Sequence, residues 1–116
     1  MTVLLTGAAG FIGMHVSLAL LARGETVVGI DNLNDYYDVN LKEARLARLT
    51  AHENFSFVRG DIADLDTVMA ASKGVDRIIH LAAQAGVRYS MENPGAYTQA
   101  NIVGHMNMLE AARALG

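Results

Sequence analysis

Three glycines carry the first chemical signal in this sequence: Gly7, Gly10 and Gly13, in the run TGAAGFIG, at the spacing G-x-x-G-x-x-G. The apolar run TVLLT (2–6) precedes them and the helix-like FIGMHVSLALLAR (11–23) follows. Glycine serves such a junction in three ways. It tolerates the positive φ of a tight strand-to-helix turn, it lets backbone approach an anion with no Cβ in the way, and it allows helix and strand to pack closely. A helix beginning there aims unpaired N–H groups and the positive end of its dipole at the same point. The chemistry is phosphate binding. The spacing is one residue longer at its start than the G-x-G-x-x-G form. An ordinary strand-to-helix turn is the bland alternative.

Other residues extend the pattern. A second apolar run, ETVVGID (25–31), ends in Asp31, 18 residues after Gly13. An acidic residue there accepts hydrogen bonds from the adenosine ribose of a dinucleotide and repels a 2′-phosphate. No Lys or Arg follows before Lys42, so the expected cofactor is NAD rather than NADP. Asp61-Ile62 closes the third run, FSFVRGD (55–61). A carboxylate and an apolar wall there could hold an adenine edge, and a turn residue opening a helix is the alternative for Asp61. HLAAQAG (80–86) overlaps the fourth run, VDRIIHLAA (75–83), and its small Ala82 and Ala83 admit a cofactor as glycines do. All these positions lie at the carboxyl ends of strands, where open α/β sheets bind ligands.

The elements that must position them alternate. Helices are expected over 11–23, about 38–51, 64–73 and 94–115. Arg23-Gly24 stops the first, Asp64 caps the third and Gly74 stops it, and Asn93-Pro94 opens the last. Strands apolar on both faces, alternating with helices, mean a Rossmann-like α/β fold: a parallel sheet, of order 3-2-1-4 by the usual topology, with helices on both faces. The first and last helices are apolar nearly all round and need cover on more than one side. In the last, the sheet is expected to cover one side, and further chain or a partner the other. The strand at 75–83 would be a long, apolar edge, so self-association through it or through helix 94–115 is expected.

Composition narrows the classes. The chain has 116 residues, 52% apolar and 18% charged, which excludes disorder and suits one domain. A net charge of −3 gives no basic footprint for nucleic acid or an anionic membrane. There is no Cys, hence no disulfide, thiolate nucleophile or Cys-based zinc site. His15, His52, His80 and His105 show no ligand spacing. Residues 1–22 carry no Asp, Glu, Lys or Arg and are long enough for a membrane span. Their glycines, His15 and Ser17, and the lack of a basic flank, favour a strand-turn-helix instead. A cytoplasmic location is expected.

On these motifs the whole chain resembles the N-terminal part of the extended short-chain dehydrogenase/reductases, the nucleotide-sugar epimerases and dehydratases. GIDNLNDYYDVNLKEARLARL and HLAAQAGVRYSMENPGAY most resemble the UDP-glucuronate 4-epimerases of capsular polysaccharide biosynthesis. The resemblance implies tightly bound NAD, oxidation at the sugar C4, and return of the hydride to the other face of a 4-keto intermediate. It implies that Gly7, Gly10, Phe11, Ile12 and Gly13 cradle the pyrophosphate. Asp31 and Asn32 would meet the ribose, and Asp61 and Ile62 the adenine. Leu81, Ala82, Ala83 and Gln84 would line the nicotinamide side, with Asn101 near the cofactor. Arg88, in GVRYS, would meet the substrate's carboxylate or pyrophosphate through paired hydrogen bonds. Tyr36 and Tyr37 would close over the site from the 32–38 loop. Structural alternatives stand beside several of these: a packed helix Asn for Asn101, a solvated loop Arg for Arg88, exposed loop tyrosines for Tyr36 and Tyr37.

One part of that resemblance is missing. The family's catalysis needs a Tyr-x-x-x-Lys pair, in which lysine lowers the tyrosine pKa. Tyr36, Tyr37, Tyr89 and Tyr97 are followed at that spacing by Asn40, Leu41, Asn93 and Asn101. The expectation is an N-terminal, NAD-binding piece, residues 1–116, without the catalytic and substrate regions and inactive alone. A sister dehydratase or decarboxylase, a non-catalytic dinucleotide-binding module, and a structural interaction domain are the other readings.

Overall fold

Each of the four apolar runs forms a strand in the computed structural model, which describes residues 1–33, 39–82 and 93–115. The strands are β1 (Thr2–Thr6), β2 (Thr26–Asp31), β3 (Phe55–Arg59) and β4 (Arg77–His80). All pairings are parallel and the order is β3-β2-β1-β4. The helices are α1 (Phe11–Ala22), α2 (Val39–Thr50) and α3 (Leu65–Ala71). After them come α4 (Pro94–Tyr97), a π-helical stretch (Thr98–Val103) and α5 (Gly104–Leu115).

The alternation of side chains along β1 builds two cores. Val3 and Leu5 join Met14, Leu20 and Leu21 of α1, Leu49 of α2, Val27 and Phe55 on one face. Leu4 joins Ile30, Ile62, Val68 of α3, Val75, and Met108 and Ala111 of α5 on the other. The sheet is therefore covered on both faces, as its strand composition requires. Residues 1–22 divide into β1, a turn and α1, and no helix among the described residues is long and apolar enough to cross a membrane.

Local signals set the helix ends. Gly24 and Gly74 take φ of +83° and +74° just beyond α1 and α3. Asp64 caps α3 by accepting from the N–H groups of Asp66 and Thr67. Asn93 accepts from the N–H of Ala96 with Pro94 at the first helical position. Two expectations need correction. The fourth strand is four residues long rather than the run 75–83, because Leu81 and Ala82 give their N–H groups to the Thr6 hydroxyl rather than to a ladder. The last helix reaches Leu115 as expected, but its interior is π-helical around Asn101.

α1 is apolar nearly all round, yet its buried face includes Ser17, fully buried with a hydroxyl that has no hydrogen-bond partner among the described residues. A buried hydroxyl without a partner carries its desolvation cost uncompensated. Ser17→Ala is therefore expected to leave the denaturation midpoint unchanged or raise stability by up to about 1 kcal/mol. A clear loss of stability would show that the hydroxyl has a partner.

Candidate functional site

The turn after β1 is built by two glycines in contact. Gly7 takes φ of +76° and donates its N–H to Ile30 of β2 at 2.8 Å. A Cβ placed on Gly13 would lie 2.0 Å from the Gly7 carbonyl oxygen, so α1 can seat on this turn only with glycine there. Gly10 stands at the N-cap of α1 with extended backbone and no side-chain cap. The first N–H groups of α1 thus lack a capping side chain at the carboxyl edge of the sheet, where the dipole favours an anion. Phe11 and Ile12 are exposed on that first turn.

Asp31 ends β2 directly beside the turn. Its Oδ2 accepts from Ala9 N–H at 3.1 Å and its Oδ1 from Leu33 N–H at 2.8 Å. Its residue exposure is 8%, which makes it a buried clamp between the glycine turn and the chain leaving β2. Leu33, with φ of +54°, is held in the left-handed region by this bond and by its own burial. Asn32 between them is exposed. A carboxylate offers about four lone-pair sites, so two backbone bonds leave acceptor capacity on Asp31.

The ends of β1 and β4 meet at the point where the chain order reverses, between β1 and β4. A Cβ on Gly7 would come within 3.0 Å of the Ala82 nitrogen. Thr6, fully buried, accepts from Leu81 N–H at 2.9 Å and Ala82 N–H at 3.0 Å, and its Oγ1 lies 2.6 Å from His80 Nδ1. Both hydroxyl lone pairs are used by the two N–H groups, so the hydroxyl hydrogen goes to Nδ1. His80 is then neutral with its proton on Nε2. Burial, and secondarily the charge of His105, lower the His80 pKa. The rings of His80 and His105 stack with centroids 5.2 Å apart.

At the end of β3, Asp61 is exposed and its Oδ1 accepts from Ala63 N–H at 2.9 Å, closing the turn into α3. Ile62 is the residue expected to offer adenine an apolar wall. Its side chain is 6% exposed and is buried against Gly104, where an added Cβ would meet Ile62 Cδ1 at 2.5 Å. The Ile62 carbonyl accepts from Asn107 Nδ2 at 2.8 Å, so α5 grips this loop from behind. Asn101 is exposed in the π-helical stretch, a form of helix often found at functional sites. Leu81 is exposed beside a partly buried Ala82.

These contacts bring the glycine turn, Asp31 and Leu81–Ala82 together, with Asp61 and Ile62 at the same edge of the sheet. Ala83, Gln84, Arg88, Tyr36 and Tyr37 lie outside the described residues. A groove of about 400 Å³ between α3 and α5, lined by Leu65, Met69, Glu110, Arg113 and Ala114, contains none of the motif residues. Among the described residues no group of three His, Asp or Glu could hold a metal ion. Sequence reading missed Thr6 and His80, although a polar residue at the end of an apolar strand, directly before the glycine, is a usable signal. It also missed Arg45, whose Nη1 lies 3.4 Å from the Ala9 carbonyl oxygen.

Residues 4–116 match the family model described as GDP-mannose 4,6 dehydratase. The chain belongs to that family. UDP-glucuronate 4-epimerase 4 of Arabidopsis thaliana is 53% identical over 116 residues, covering 98% of this chain and 26% of that relative. The solved UDP-glucuronic acid 4-epimerase from Bacillus cereus in complex with NAD is 35% identical, with a TM-score of 0.90 over 99% of this chain and 36% of that one. A dTDP-glucose 4,6-dehydratase from Streptomyces venezuelae, solved with NAD bound, is 32% identical, with a TM-score of 0.85 over 100% of this chain and 37% of that one. The chain therefore spans 26% to 37% of the lengths of these relatives. Membership in the GDP-mannose 4,6 dehydratase family, with these epimerase and dehydratase relatives, agrees with the resemblance read from the sequence.

The Thr6–His80 bond makes a pH prediction. A neutral imidazole with a lowered folded pKa contributes stability that is full above the unfolded value of about 6.5. That contribution is lost as pH falls through 6.5 toward the folded pKa, because the unfolded imidazole binds a proton first. The melting temperature is expected to drop on acidification below about pH 6.5, and His80→Asn, which can keep an acceptor facing Thr6, should flatten that drop. An unaltered pH profile in the variant would remove His80 as its source.

Proposed function

We propose that this chain is the NAD-binding part of a nucleotide-sugar epimerase that inverts C4 of UDP-glucuronate. The observation that carries the reading is the N-terminus of α1, without a side-chain cap, seated on the Gly7–Gly13 contact with Asp31 beside it. A flat, Cβ-free turn, a helix dipole and a carboxylate at the next strand end fit a pyrophosphate and a ribose diol. NAD, when bound, would supply the hydride acceptor and donor for C4.

In this reading Gly7, Gly10, Phe11, Ile12 and Gly13 hold the pyrophosphate through backbone. Asp31 and Asn32 hold the ribose, and Asp61 with the backbone of Ile62 faces adenine. Leu81, Ala82, Ala83, Gln84 and Asn101 line the nicotinamide side, and Arg88 serves the sugar-nucleotide substrate. The Tyr-x-x-x-Lys pair that would move the C4 hydroxyl proton is not among these 116 residues, so residues 1–116 alone bind cofactor and do not turn over. A nucleotide-sugar dehydratase is the second reading, favoured by the likeness to the Streptomyces venezuelae enzyme. The cofactor half of the account is the same in both.

Ile102, Met106 and Leu109 repeat at i, i+4 and i+7 and are all exposed, which leaves one apolar face of the last helix uncovered. Among the described residues β4 pairs only with β1. Through that face or that edge the chain forms a homo-oligomer, in this proposal within the cytoplasm. Light scattering at micromolar concentration should give a mass above one chain, and a monodisperse monomer would sink the idea.

Calorimetric titration with NAD tests the cofactor reading directly. Asp31→Ala is expected to weaken binding by about 1–3 kcal/mol. It should also lower the melting temperature, since Ala9 and Leu33 lose their acceptor. Unchanged affinity would take Asp31 out of the site, and no binding to the parent chain would overturn the cofactor reading.

A further inference from the structure

Arg45 lies in the run KEARLARL, has no role assigned from the sequence, and is delivered by α2 to the glycine turn. Its Nη1 donates to the Ala9 carbonyl at 3.4 Å, and its Cζ lies 5.8 Å over the ring of Phe11. The residue is partly buried, and among the described residues no carboxylate pairs with it. A guanidinium has five N–H donors, and one long bond to a carbonyl uses one of them. The remaining donors are suited to an anion, and most of all to a phosphate met by a planar fork.

The position of that cation relative to Asp31 is the informative part. Ala9 is fully buried and both its polar groups are taken, the N–H by Asp31 and the carbonyl by Arg45. The two charges therefore lie within about 10 Å of each other, given the span of one residue's backbone. A ribose held by Asp31 brings its 2′-oxygen to the carboxylate. A phosphate on that oxygen would be repelled by Asp31 and attracted by a guanidinium on a long, flexible side chain across one residue.

We propose that Arg45 is a specificity residue that offsets Asp31 and gives the site a second, weaker capacity for NADP. The proposal rests on the reading of the site as an NAD site. No basic residue follows Asp31 in sequence before Lys42, but the fold brings Arg45 in from the second turn of α2.

The test is titration of the full 116-residue chain with NAD and with NADP at one ionic strength, for the parent and Arg45→Gln. The parent is expected to bind NADP about ten- to a hundredfold more weakly than NAD. Arg45→Gln should lose roughly a further tenfold or more for NADP and less than about threefold for NAD. Measurable NAD binding with no NADP binding in the parent overturns the proposal, as does an equal loss for both cofactors in the variant. Binding of neither cofactor by the parent is a failure of the NAD reading itself. Should Arg45→Gln not fold, Arg45→Lys, which keeps the charge but loses the planar fork, is expected to weaken NADP several-fold and NAD by less than about threefold, and an equal loss for both cofactors there overturns the assignment.

Discussion

The contact between Gly13 and the carbonyl of Gly7 is the constraint on which the rest depends. With no Cβ at residue 13, α1 approaches the end of β1 to a distance that any other residue would block. That approach sets the helix N-terminus over the carboxyl edge of the sheet. It also pins the turn in the left-handed conformation that Gly7 supplies. Everything placed near the turn, from Asp31 to Leu81, inherits its position from this fit.

Two further bonds hold the turn from its flanks, and each joins distant parts of the chain. Asp31 grips Ala9 from β2, and the Thr6 hydroxyl gathers the first two residues after β4. Both groups are buried, so their bonds form in a low-dielectric setting and an unpaired partner would be costly. The consequence for function is preorganisation. The backbone that would face a dinucleotide is held by the protein before any ligand arrives, and less ordering is left for binding to supply. Asp31 then serves twice in this account, as a clamp on the turn and as the proposed ribose acceptor.

Much of the fold was legible because its signals are local. β1 occupies the run Thr2–Thr6 as read, Asp64 caps α3, and Asn93-Pro94 opens the last helix. The sheet order followed from alternation and the usual topology. What escaped reading depends on contacts between residues far apart in sequence. β4 stops at His80 because of a hydroxyl 75 residues earlier. Ile62 turns inward because Gly104 leaves room for it. Arg45 reaches Ala9 across 36 residues, which no spacing rule anticipates. The π-helical stretch around Asn101 has no marker in composition; it holds Gln, Ala, Asn and the β-branched Thr, Ile and Val, without Gly or Pro.

The central claim is that the glycine turn and the Asp31 clamp form a ready-made dinucleotide site. Residue-resolved amide NMR during titration of the chain with NAD tests it most directly. The account predicts the largest shift changes at Gly7, Gly10, Phe11, Ile12 and Gly13 and at Asp31 to Leu33, with little change along α3. Saturable changes confined to other surfaces, or none at the turn at millimolar NAD, would contradict it.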